Sequence, residues 1–149
     1  MAVKPIPDGF HTITPYLVLN NAGKVIEFMK QAFGAEEIYR HMRGEGVIGH
    51  AQVKIGDSML MISDATKEHA AAPCMLYFYV KDCDAWYERA MKAGATSLMK
   101  PMDMFYGDRN AGVKDQSGMQ WWIATHKEDV SPAEVEKRAK AMEAQGAKR

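Results

Sequence analysis

The 149-residue chain carries 19 Lys plus Arg against 19 Asp plus Glu, so its formal net charge is zero and it lacks the basic surplus of a nucleic-acid footprint. No apolar run reaches the length of a membrane span, and the opening MAVKPIPDGF has no apolar stretch of the secretory kind. Two cysteines, Cys74 and Cys83, make neither a disulfide framework nor a metal pair, and a reduced, cytoplasmic protein with no nucleic-acid or membrane partner is expected.

Met1 to Asp8 reads as a Pro-containing lead. His11 to Leu19 alternates as a strand does, with Pro15 marking an edge or a bulge. Asn20-Asn21 starts a helix with Val25, Ile26, Met29 and Phe33 on one face, and Gly34 ends it. Strands are predicted over Glu36 to Met42, His50 to Ile55 and Met59 to Ser63. The turns between them are Arg43 to Gly46 and Gly56-Asp57. Gly44-x-Gly46 is a hairpin and not a phosphate loop, since no helix follows it.

Thr66 to Pro73 is a small, Ala-rich linker. Beyond it come a strand from Met75 to Val80, a helix from Ala85 to Ala93, and strands over Thr96 to Met99, Ala111 to Lys114 and Gln120 to Thr125. Met102 to Asn110 is long for a hairpin loop and reads as a functional, gate-like segment around Tyr106-Gly107. A last helix of about 131–145 starts with a capping box, Ser131 to Glu134, with Pro132 in its first turn.

The chain says nearly the same thing twice. VLNNAGKVIEFMKQAFGA and VKDCDAWYERAMKAGA share a strand end, an Asn or Asp turn, an amphipathic helix and a Gly-Ala pair, and the two pairs lie sixty residues apart. The expected fold is α+β. Two βαβββ modules, about 10–65 and 74–127, form a curved mixed sheet around a shared cavity, with a C-terminal helix, in one domain spanning 1–149.

The segments TPYLVLNNAGKVIEFMKQAFGAEE, GHAQVKIGDSMLMISD and FYGDRNAGVKDQSGMQWWIATHKEDVSP resemble the vicinal oxygen chelate superfamily, the glyoxalase and bleomycin-resistance group, in its PhnB-like branch. That resemblance implies a divalent metal at four cavity-facing positions, which register at Thr14, Met61, Met75 and Trp122. None is a competent ligand. Sliding each register by two, which keeps the strand face, brings in Thr12 or Tyr16, Met59 or Ser63, Tyr77, and Gln120 or Ala124. No metal and no cofactor is therefore expected. The resemblance also implies a turn that often reads Gly-His in that branch, where this chain reads Gly118-Met119.

Alternation assigns Ile13, Leu17 and Leu19 to the helix side, and Thr14, Tyr16, His50, Gln52, Met61, Met75, Tyr77, Tyr79 and Trp122 to the cavity. This apolar, aromatic lining suits a flat organic ligand. Arg109 either clamps a carboxylate or phosphate on such a ligand or makes an internal Asp-Arg contact at the rim. Cys83, before a helix, is placed for a lowered pKa but has no base beside it, and is expected to be structural.

The leading expectation is a metal-independent protein that binds or sequesters an apolar or aromatic metabolite or drug. The alternative is a lyase or isomerase using an atypical metal site or His50 as general base. A third reading is an interaction module whose cavity is filled by its own Met, Tyr and Trp side chains. A homodimer is expected, because two open-edged modules leave strands to be covered and the resembling family commonly pairs.

Overall fold

The computed structural model describes residues 2–146, so Met1 and 147–149 of the expected domain lie outside the described residues. The elements in chain order are β1 (Tyr16–Leu19), α1 (Ala22–Phe33), β2 (Glu36–Gly44), β3 (Val47–Ile55), β4 (Ser58–Asp64), β5 (Met75–Tyr79), α2 (Cys83–Lys92), β6 (Thr96–Asp103), β7 (Asp108–Lys114), β8 (Gln120–His126) and α3 (Pro132–Ala144). They form two four-stranded sheets with the same topology, β1-β4-β3-β2 and β5-β8-β7-β6. In each, the first strand lies parallel to the last, Tyr16 opposite Met61 and Tyr77 opposite Trp122. The other ladders are antiparallel.

Helix α1 forms because its apolar residues recur every three or four positions, and Val25, Ile26, Met29, Ala32 and Phe33 are all buried. Gly34 ends it in the left-handed region, φ 63°, where its amide and that of Ala35 bond back to Lys30 and Met29. At the other end Asn21 does not cap through its side chain. Asp64, arriving from β4, accepts from Ala22 N at 2.8 Å and Ile48 N at 2.7 Å, so one carboxylate caps the helix and ties down β3. Asp82 caps α2 through the Ala85 amide, and Ser131 caps α3 through the Glu134 amide. Glu134 does not complete a reciprocal box; its carboxylate pairs with Arg138. Helix α3 buries no residue.

The two modules meet through their helix sides. Phe33 of α1 stacks on Trp86 of α2 at 5.6 Å between centroids, and meets Phe78 of β5 at 5.1 Å and Trp121 of β8 at 5.3 Å. One continuous core therefore runs from Leu17, Ile26 and Val53 to Val113, Trp121 and Ile123. The opposite, concave faces of both sheets point away from this core.

Two expectations need correction. The first strand begins at Tyr16 and not at His11: Pro15 carries no amide hydrogen, and no ladder forms before it. Thr14 thus precedes the strand, and Ile13, expected to pack on the helix, is 84% exposed. The segment from Met102 to Asn110 is no long gate. β6 and β7 extend through it to a short turn, and Gly107 is held there by Lys127 and Glu128, whose amides donate to its carbonyl. A side chain at Gly107, φ 102°, would run into the Glu128 carbonyl. Cys83, expected to be structural, is buried and donates to the Ile123 carbonyl at 3.1 Å. Burial, and then the Asp84 carboxylate, push its thiol up to about 11, the reverse of an activated cysteine.

Candidate functional site

The concave face of module one carries Tyr16, His50, Gln52 and Met61. Tyr16 and Met61 are opposite one another on β1 and β4, and Gln52 is opposite Met61 on β3. The Tyr16 hydroxyl lies 3.1 Å from His50 Nδ1, and the Gln52 amide 3.5 Å from His50 Nε2. Tyr39 of β2 flanks the imidazole from its other side, 6.3 Å between ring centroids. The strand alternation that sends Ala51 and Val53 into the core holds His50 and Gln52 outward together.

The concave face of module two is built from alternate residues of three strands. β5 supplies Met75, Tyr77 and Tyr79, while Leu76 and Phe78 turn to the core. β8 supplies Gln120, Trp122 and Ala124. β7 supplies Asp108, Asn110 and Gly112. Trp122 lies flat over Gly112: a β-carbon there would sit 2.7–2.8 Å from three atoms of the indole ring. The indole N–H donates to Gln120 Oε1 at 3.1 Å, which pins the half-buried ring.

Beside this platform lies a polar cluster. Asp108 is only 4% exposed. Its Oδ2 accepts from the Tyr77 and Tyr79 hydroxyls at 3.1 Å each, and its Oδ1 is 2.9 Å from His126 Nδ1. His126 Nε2 is 2.8 Å from Asp129. The Asp129 and Asp108 carboxylates raise the histidine pKa above its ordinary value, favouring the charged imidazolium. Desolvation, with hydrogen bonding to Tyr106 and the negative charge of Asp108, drives the Tyr77 phenol far above the ordinary range. Tyr79 moves the same way, by burial first and Asp108 second. Both phenols are therefore neutral donors at any physiological pH.

Sequence reasoning placed Tyr77, Tyr79 and Trp122 on this face but left out Asp108, Asn110, Tyr106 and His126. The signal was present: Asp108, Asn110 and Gly112 alternate with Arg109, Ala111 and Val113. Starting the strand at Ala111 and not at Asp108 hid it. Arg109 belongs to the other side. It clasps Asp84 of α2 in a bidentate pair, 2.6 and 2.9 Å, with Asp103 at 3.2 Å. The internal Asp-Arg contact is thus what the geometry displays, and a ligand clamp from the concave face would require breaking it. Met119 is buried and receives the Cys74 amide on its sulfur at 3.2 Å.

A groove of about 440 Å³ lies elsewhere, between the start of α1 and the β7–β8 turn, lined in part by Asn21, Lys24, Phe28 and Gln116. The concave faces are instead open. Tyr16 is 49% exposed, Tyr77 42%, Met75 57% and Tyr79 66%.

Paired βαβββ modules with concave aromatic faces define a class of α+β proteins built by duplication. Residues 9–123 match the family model of the Glyoxalase/Bleomycin resistance protein/Dioxygenase superfamily, and the chain belongs to that superfamily. An uncharacterized protein of Mycobacterium bovis is 29% identical over 145 residues, covering 90% of this chain and 93% of its own. Among solved structures, TioX from Micromonospora sp. ML1 superposes with a TM-score of 0.67 at 20% identity, covering 78% of this chain and 98% of its own. A glyoxalase-related enzyme from Fulvimarina pelagi gives 0.63 at 16% identity, over 77% and 87%. At these identities the structures show the fold alone.

The family name raises metal-dependent chemistry, and the donor set does not fit it. The parallel strand pairs present Tyr16 with Met61, Met75 with Gln120, and Tyr77 with Trp122. Divalent Zn, Ni, Mn or Fe requires several imidazole, carboxylate or thiolate ligands, and these positions supply none. Among the described residues no group of three or more His, Cys, Asp or Glu is placed to hold an ion. Also among the described residues, no helix is long and apolar enough to cross a membrane.

Proposed function

We propose that this chain, a member of the PhnB-like branch by its sequence segments, binds flat apolar or aromatic small molecules without a metal, and does so as a homodimer. The observation that carries the reading is the Trp122 platform, pinned over Gly112 beside the half-exposed Tyr77 and Met75. Base or ring stacking on such a surface is favourable and tolerant of ligand identity. Where the modules meet supports the dimer. Their helix sides share the Phe33 core, so each concave face turns outward with half-exposed tyrosines and methionines. A second copy laying its module-one face over this module-two face buries both and brings Tyr16, Gln52 and Met61 to the ligand. Exposed apolar surface of this kind marks an interaction site.

Thermal melts with a panel of planar aromatic compounds test the binding, and sedimentation tests the assembly. A ligand at about a hundred times its Kd adds roughly 2.7 kcal/mol of stability. At least one planar compound should raise the Tm of the wild type and fail to raise that of Trp122→Ala. The reading is lost if no planar compound shifts the wild-type Tm. A monomer at micromolar concentration removes the closed, two-chain site.

The Tyr16–His50 hydrogen bond favours one second reading, an isomerase or lyase with His50 as general base. It requires that His50→Ala abolish turnover of a bound substrate while leaving binding intact. Unchanged turnover eliminates it.

A further inference from the structure

Tyr77 and Tyr79 share one face of β5, and both give their hydroxyl hydrogens to the same oxygen of Asp108, at 3.1 Å each. Those bonds tie the two rings into a cleft: their centroids are 5.4 Å apart and their planes meet at 59°. The rings remain reachable from solvent, 42% and 66% exposed, while the residue that holds them is 4% exposed. A phenol that donates to a carboxylate gains electron density, so these ring faces are more negative than those of free tyrosines. Tyr77 also stands opposite Trp122 in the parallel ladder, so the cleft adjoins the platform.

The charge beneath the cleft is not balanced. Among the described residues Asp108 pairs with no Lys or Arg; its basic partner is His126 at 2.9 Å, which it shares with Asp129 at 2.8 Å. Two carboxylates face one imidazole, so the cluster keeps a surplus negative charge even when His126 is protonated. The cations nearest in sequence act elsewhere. Arg109 is held by Asp84 and Asp103 on the other side of the sheet. Lys127 lies close enough to Asp84 to help hold its carboxyl below the ordinary range, after Arg109. Lys114, next in the alternation of β7 after Gly112, is at the far end of that strand from Asp108, roughly 20 Å away.

A buried carboxylate with surplus charge makes the aromatic faces above it attract a cation without touching that cation itself. This bears on the charge of the ligand, and it rests on the reading that the concave face of module two binds planar molecules. We infer that the Tyr77–Tyr79 cleft is a cation subsite. The planar ligand of this face carries a positive charge, as a ring nitrogen or as an amine beside the ring, seated over the two phenols. The same surplus disfavours an anionic aromatic.

N-methylquinolinium and lepidine, a methylquinoline that is neutral at mildly alkaline pH, have nearly the same size and flatness and differ in charge. Equilibrium dialysis against the full chain should show the cation bound about tenfold tighter. Tyr79→Leu removes one wall of the cleft and should bring the two affinities within about twofold of each other. Tyr79→Phe, which keeps the ring, should retain most of the preference. Asp108→Asn, which removes the charge, should reduce it about threefold. Circular dichroism checks that each variant is folded, and the two Tyr79 variants, at a largely exposed position, decide the matter if Asp108→Asn is not. Equal or reversed wild-type affinities overturn the cation inference and leave the planar-binding reading standing. A full preference that survives Tyr79→Leu overturns the assignment to the cleft. An unchanged preference in folded Asp108→Asn overturns the part given to the carboxylate. Binding of neither compound overturns both this inference and the reading beneath it.

Discussion

Phe33→Ala will lower the folding free energy by about 3–5 kcal/mol, the range for truncating a buried aromatic ring. Phe33 sits at the end of α1 and is 2% exposed. Its ring contacts come from both modules: Phe28 at 5.5 Å from its own, and Phe78, Trp86 and Trp121 at 5.1–5.6 Å from the other. The site cannot collapse easily, because three of those partners stand on β5, β8 and α2, each held by its own ladder or helix. The expected consequence goes beyond a lower midpoint. Phe33 is the residue through which module one touches most of module two's aromatic core, so its loss loosens their coupling. Urea denaturation followed by tryptophan fluorescence and by far-ultraviolet circular dichroism should give coincident curves for the wild type. For Phe33→Ala the fluorescence curve, reporting Trp86, Trp121 and Trp122, should separate from the dichroism curve. A loss below about 1 kcal/mol with coincident curves would mean that the modules are joined by something other than this seam.

The repeat was legible in the sequence because each module spends its pattern on local signals. A Gly at φ 63° after α1, Asp82 before α2 and Gly-containing turns each fix a boundary within one or two residues. The hydrophobic period then assigns faces, and Leu17, Leu19, Ala51 and Val53 lie on the side alternation gives them. Misreadings arose where long-range contacts decide. Nothing local says that Asp64, at the end of β4, caps a helix that begins more than forty residues earlier. Nothing local says that Arg109 finds Asp84 on α2, or that Asp108, its neighbour, turns the other way to collect two tyrosines from β5. Polar residues such as Asp, Arg and Asn read as loop in composition. In β7 they form strand because the hairpin with β6 and the ladder with β8 satisfy their backbone, and their side chains find partners on both faces. The aromatic half of the candidate site was therefore visible, and its polar half was not.

Asp115→Ala should cost about 3–4 kcal/mol, an unusual penalty for a turn residue. Asp115 is 8% exposed and directly follows β7. One carboxylate oxygen accepts from the Ser117 amide at 2.8 Å, from the Ser117 hydroxyl and from the Met119 amide at 3.2 Å. The other accepts from the Trp121 indole N–H at 2.8 Å. Trp121 is wholly buried, so removing the acceptor strands a donor in the core, worth about 1–3 kcal/mol, besides the lost charge-assisted bonds of the turn. Asp115→Asn should rescue little, since its NH₂ would face donors. Trp121→Phe removes the stranded N–H, and in a double-mutant cycle the pair should couple by about 1 kcal/mol or more. Additivity within roughly 0.5 kcal/mol would show that the indole bond contributes nothing of its own. The turn also reaches the candidate site. It sets the register in which Gly112 falls opposite Trp122, so a relaxed turn lets the indole slide off a residue whose lack of a side chain makes room for it. Asp115→Ala should therefore weaken the binding of planar compounds under conditions where the variant is still fully folded. Unchanged affinity would separate the platform from the turn that builds it.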